Sequence, residues 1–196
     1  MLWADLLRVI VPGVALGLLL GWVLARRPVH IRRIKPKVWI PKAKSMGRRK
    51  WIELIALSLS VALFSLFISI QLGNLLLSSG VEMYSPEEFP FVKMMDYPVL
   101  MLLTVNLVPI FEEWIFRGIV IDEVKRLSRS TALALAVSTL SFAAFHLTNP
   151  GTYAAYVIPM IPCGVLLGLC YLRVGLGGAI LAHSSYNTFL FILQVL

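Results

Sequence analysis

The chain is short of charge. Asp, Glu, Lys and Arg make up 14% of its 196 residues, well below the roughly 25% usual in soluble domains. Beside a hydrophobic share of 59% and a mean hydropathy of +0.84, that scarcity excludes a self-standing soluble domain. Cysteine is scarce too. Cys163 and Cys170 fall in one apolar run, on one helical face, about 10 Å apart along the axis. That is beyond disulfide reach, so they read as small packing residues, without a metal or redox role. Alternating apolar and polar runs are missing, which excludes a membrane-spanning barrel of strands. There are no internal repeats or inverted halves of the transporter kind. No small-residue cleavage site precedes the first basic cluster, so the first apolar run is expected to be a retained span.

What the chain does have is apolar runs of about 20 residues, the length that crosses hydrocarbon as a helix. They cover about 3–24, 52–78, 97–120, 131–147, 153–172 and 178–196, and they predict an all-α polytopic bundle of about six spans. We divide the chain into two N-terminal spans joined by a basic loop (1–96) and a helical core (97–196). Arg26 to Lys50 holds 11 of the 18 Lys and Arg residues, which makes this loop cytoplasmic by the positive-inside rule. Segment 79–96 carries Glu82, Glu87, Glu88 and Asp96 against Lys93, and is expected outside. Lys125, Arg126, Arg129 and Arg173 mark the other internal turns, so both termini are expected outside. The basic loop is broken by Pro28, Pro36 and Pro41 and by Val38, Trp39 and Ile40. It is expected to lie as an irregular strip on anionic lipid. No soluble domain presents its charges to nucleic acid.

Glu112, Glu113 and Arg117 interrupt the third apolar run. Each costs roughly 2.5–3.5 kcal/mol at bilayer depth on insertion scales. Glu113 and Arg117 are four apart, in the favoured order for a helical ion pair. Glu112 lies about 100° around the helix, expected to face a different neighbour and to lack a local partner. A carboxylate in that position is a candidate general base. Pro109, one turn earlier, frees a backbone carbonyl and gives the helix a place to bend. His146 follows Phe142 by one turn at the end of the fourth span. His183 and Asn187 share a face of the sixth, and both side chains can donate hydrogen bonds to an oxyanion. Counting residues from the basic turns places all of them in the cytoplasmic half of the membrane. The expectation is a water-filled, cytoplasm-facing hydrolytic cavity.

Three motifs, Glu112-Glu113-x-x-x-Arg117, Phe142-x-x-x-His146 and His183-x-x-x-Asn187, in this order and on separate spans, resemble those of a known family. It is the CAAX prenyl protease and bacteriocin-processing (Abi, or CPBP) family of intramembrane endopeptidases. The approach Gly164-x-x-x-Gly168-x-x-Tyr171-x-Arg173-x-Gly175 is similar as well, and the resemblance covers about residues 97–190. It implies a glutamate-dependent peptidase without a metal cofactor. In it, Glu112 and His146 activate water, His183 and Asn187 stabilise the oxyanion, and Glu113, Arg117 and Phe142 support them. The implied substrate is a membrane-associated peptide or protein, prenylated CAAX types included, cut near the cytoplasmic interface. The expected location is a prokaryotic plasma membrane. Two other readings use the same residues. One is a zinc peptidase liganded by Glu112, His146 and His183, although no His-Glu-x-x-His run is present. The other is a non-catalytic scaffold or bacteriocin-immunity protein.

Overall fold

The computed structural model describes residues 2–89, 92 and 94–195; Lys93 and Leu196 lie outside them. Six helices are long and apolar enough to cross a membrane: Leu6–Arg26, Arg48–Ser78, Pro98–Ser128, Thr131–Thr148, Ala154–Val174 and Leu176–Gln194. They follow the apolar runs closely. The protein is an all-α, multi-pass membrane bundle. Among the described residues, extended pairing is confined to one antiparallel bridge, Tyr84 with Thr152.

The chain forms two compact units, Met1–Ile52 and Glu53–Leu196. In the first, the long N-terminal helix is followed by two short ones, Val29–Ile34 and Pro36–Lys44. The basic loop is therefore helical where an irregular strip was expected. Two of its prolines suit helix starts, Pro28 capping one short helix and Pro36 opening the next, while Pro41 lies within the second. A helix tolerates proline there because the first-turn N–H groups have no intrahelical partner.

The second unit contains the polar motifs. Its third span runs well past the expected end at 120, through a π-helical stretch, Trp114–Ile121, and a final α-helical piece, Asp122–Ser128. The basic segment 121–130 is thus mostly helix instead of loop. Polar groups hold the extension in place: the Tyr171 hydroxyl donates to Asp122 at 2.7 Å, and Arg126 pairs with Glu123 at 2.7 Å. Arg129, at φ 59°, ends the helix. The Ser130 hydroxyl then caps the fourth span by accepting from the Leu133 N–H at 3.1 Å.

Burial is inverted relative to a soluble protein. Phe64, Phe67, Leu103, Leu107, Phe111 and Leu140 are exposed on the outer faces, whereas Glu113, Arg117, Ser138, Thr139 and His183 are buried. Lipid solvates the former, and the latter need partners within the bundle. Small residues let the helices close on one another. A Cβ at Gly168 would sit 2.3 Å from Leu135 Cδ1, and one at Gly164 would sit 3.0 Å from Thr139 Cγ2. Val61, Phe116, Phe142, Leu167, Cys170 and Ala182 form the main apolar core. Both cysteines are buried and free. Cys163 lies 3.0 Å from the Ser69 hydroxyl, in keeping with a packing role.

Candidate active site

Glu113 and Arg117 make the expected pair. Both side chains are wholly buried, with Nη1 donating to Oε1 at 2.7 Å. Arg117 also donates to the Gly164 carbonyl at 3.2 Å, and its guanidinium lies 4.3 Å from the centre of the Phe142 ring. Each contact offsets part of the cost of a cation away from water.

The pair extends to a third group, on the sixth span. His183 Nδ1 lies 2.8 Å from the same Glu113 oxygen, and its Nε2 lies 3.6 Å from Glu112 Oε2. Adjacent glutamates on one helix therefore flank a single imidazole, and the expectation that Glu112 faces a separate neighbour is corrected. The distance to Glu112 is too long for a direct hydrogen bond. Glu112 also differs from Glu113 in access: its side chain is 16% exposed, against 0%.

Proton positions follow from what each partner can do. A carboxylate paired with Arg117 only accepts, so the proton between Glu113 and His183 sits on Nδ1. Neutral His183 then has a lone pair at Nε2, and it donates there only as the imidazolium. With that cation, the Glu112, Glu113, Arg117 and His183 charges sum to zero. His146 is fixed in the same way. Its Nδ1 lies 2.9 Å from the Phe142 carbonyl, which only accepts, so Nε2 of the neutral ring is basic. Phe142 packs between the two imidazoles, its ring centre 4.6 Å from His146 and 5.6 Å from His183.

Asn187 is held where Pro109 interrupts the backbone bonding of the third span. Pro109 has no N–H for the carbonyl four residues earlier, that of Val105. The Asn187 amide donates to this carbonyl at 3.4 Å, and the Ser184 hydroxyl donates to the next one, Asn106, at 3.3 Å. Pro109 was a legible signal for a freed carbonyl; that Asn187 is its partner needed the packing of the third span on the sixth.

Glu112, Phe142, His146, His183 and Asn187 line one cavity of about 480 Å³. Asn149 and Tyr156, which the sequence did not single out, line it too. Its walls come from the later half of the second span (Ser65 to Leu77), the first half of the third, the end of the fourth, the fifth from Tyr156 to Leu167 and the sixth from His183 to Gln194. Segment 83–94 contributes Met83, Tyr84 and Phe89. Among the described residues, none between 113 and 141 and none between 168 and 182 lines it.

The lining is confined to one half of these helices. The hollow lies toward the end carrying Glu82, Glu87, Glu88 and Asp96, away from Lys125, Arg126, Arg129 and Arg173. Counting from the turns gives backbone height but not which half is filled. Here Phe116 packs against Phe142 and Phe145, with ring centres 5.5 and 5.7 Å away, and fills the basic half. The donor set of a zinc reading, Glu112, His146 and His183, is not among any groups able to hold a metal ion in the described residues.

Fold and site together define a multi-pass integral membrane protein with a carboxylate–imidazole cavity inside the bundle. A family model described as type II CAAX prenyl endopeptidase Rce1-like matches residues 94–189. That segment holds all three motifs, and through it the chain is similar to this family of membrane proteases. No curated protein and no solved structure matches significantly.

Proposed function

We propose that the protein is an intramembrane endopeptidase that hydrolyses a peptide bond of a membrane-associated protein or peptide within this cavity. The observation that carries the proposal is the unequal setting of the two glutamates. Glu113 is wholly buried and accepts from both Arg117 and His183 through Oε1, whereas Glu112 reaches the cavity without a hydrogen-bonded partner among the described contacts.

In this reading Glu112, with His146 lining the same cavity, takes a proton from a water molecule as the oxygen attacks the scissile carbonyl carbon. The electron pair of the C=O bond moves to oxygen. That oxyanion accepts hydrogen bonds from the Asn187 amide and from Nε2–H of cationic His183. Collapse of the intermediate breaks the C–N bond, and the departing amine takes the proton held by Glu112. Glu113 and Arg117 position His183, and Phe142 spaces the two imidazoles. Residues 97–196 form the catalytic core, in a prokaryotic plasma membrane, with anionic lipid at the basic loop.

A peptide screen tests the proposal. Farnesylated and plain peptides are offered to the purified wild type and to Glu112→Gln, with products identified by mass. Cleavage of either set by the wild type and neither by the variant is expected. Equal cleavage by both proteins would remove Glu112 from the mechanism. A scaffold role predicts instead that Glu112→Ala leaves the cellular phenotype intact.

A further inference from the structure

The cavity wall carries polar groups that the peptidase reading leaves unused. Ser65 and Ser69 stand about one turn apart on the second span, Cys163 is on the fifth and Tyr186 on the sixth, and all four line the cavity. They form a chain of hydrogen bonds. The Tyr186 hydroxyl donates to Ser69 Oγ at 3.1 Å, Ser69 Oγ lies 3.0 Å from Cys163 Sγ, and Cys163 Sγ donates to the Ser65 carbonyl at 3.8 Å. A thiol has one proton, so between Ser69 and Cys163 the hydroxyl is the donor. Two groups are left over at the ends of this chain. The Tyr186 oxygen has given its proton to Ser69 and keeps lone pairs, and the Ser65 hydroxyl is buried without a hydrogen-bond partner. Ser65 is 2% exposed and Tyr186 8%.

A buried hydroxyl without a partner is unfavourable, and the side chains around this chain do not relieve it. Ala62, Leu66, Phe189 and Leu190 pack about Cys163 and Tyr186, and none has a polar side-chain atom. One free donor and one free acceptor on a cavity wall complement what a peptide brings, a C=O and an N–H. A polypeptide leaving water for this cavity has to place both. A helical segment has already paired these groups within itself, so the stretch that fits is extended. Tyr186 lies between His183 and Asn187 on the sixth span, within one helical turn of both, so main chain held here is close to the groups assigned to the oxyanion.

We infer that Ser65 and Tyr186 form a main-chain subsite: the Ser65 hydroxyl donates to a carbonyl, and the Tyr186 oxygen accepts from an N–H, of the peptide beside its scissile bond. The substrate is thereby recognised as extended polypeptide, whatever its side chains. The inference rests on the peptidase reading of the cavity, but its test measures binding without turnover. In the full chain carrying Glu112→Gln, two fluorescent probes are titrated in detergent by anisotropy. One is an acetylated hexapeptide of alternating leucine and alanine, and the other is its ester analogue, with every amide N–H replaced by oxygen. The peptide is expected to bind about tenfold more tightly than the ester. Adding Tyr186→Phe closes that gap, because the N–H loses its acceptor. Adding Ser65→Ala weakens both probes about 5–10-fold, because both keep their carbonyls. A Tyr186→Phe protein that binds both probes more weakly with the gap intact has lost only shape, and that result overturns the inference. So does an absence of peptide binding, or unchanged affinities in Ser65→Ala. Ser69→Ala, which removes the group that takes the phenol proton, replaces Tyr186→Phe should that variant not accumulate, with the same expected result. Cleavage by the wild type and not by Glu112→Gln reports on the peptidase reading alone, so either proposal can fail without the other.

Discussion

The two halves of the bundle are built on opposite terms from the same helices. Toward the basic end, aromatic rings, glycine-mediated close approach and the wholly buried Glu113–Arg117 pair fill the space between the helices. Toward the acidic end, the same spans part around a cavity of about 480 Å³ lined by Glu112, His146, His183 and Asn187. One peptide bond separates Glu112 from Glu113, yet they lie on either side of this divide. A carboxylate's role inside a membrane is set by what fills the space around it more than by its depth. A filled half turns a carboxylate into structure, and a hollow half leaves it free to react.

If that contrast holds, substitutions in the filled half cost stability and those in the hollow half cost rate. The largest stability effect is expected at Arg117. Arg117→Ala leaves Glu113 buried without its cation, a loss of about 3–5 kcal/mol, visible as a sharp fall in thermal midpoint in detergent and in the amount of protein in the membrane. Asn187→Ala should lower the cleavage rate about 10²–10³-fold, the usual size for one oxyanion donor, while its midpoint stays near that of the wild type. A fall in midpoint as large as that of Arg117→Ala would erase the contrast. Gly164→Val forces its side chain onto Thr139, whose Cγ2 already stands 3.0 Å from a bare Cβ. Overpacking of this kind costs about 1–3 kcal/mol, measurable by chemical denaturation. The smallest effect belongs to Ser58→Ala. It loses the bond to the Gly178 carbonyl at 2.9 Å, about 1 kcal/mol, with no change in cleavage.

The spans were legible in the sequence because hydrocarbon thickness sets a length that a run of apolar residues either meets or misses. The ion pair was legible because spacing by four on a helix is a local matter. Three features were not. The helix through 121–128 depends on Tyr171, from a distant span, bonding to Asp122. Glu113 meets His183 only because the third and sixth spans pack together. Which half of the bundle is hollow depends on where Phe116, Phe142 and Phe145 meet, which no count along one helix reveals. Pro109 lies between these cases: its freed carbonyl could be read, but not the amide that fills it.

The central claim is the division of labour between neighbouring glutamates. It is tested most directly by measuring cleavage rate and thermal midpoint together for purified Glu112→Gln. A rate reduced about 10²–10⁴-fold is expected, the scale of a lost general base, with the midpoint of the wild type. A Gln variant that cleaves at the wild-type rate, or that loses activity only because it unfolds, would contradict it.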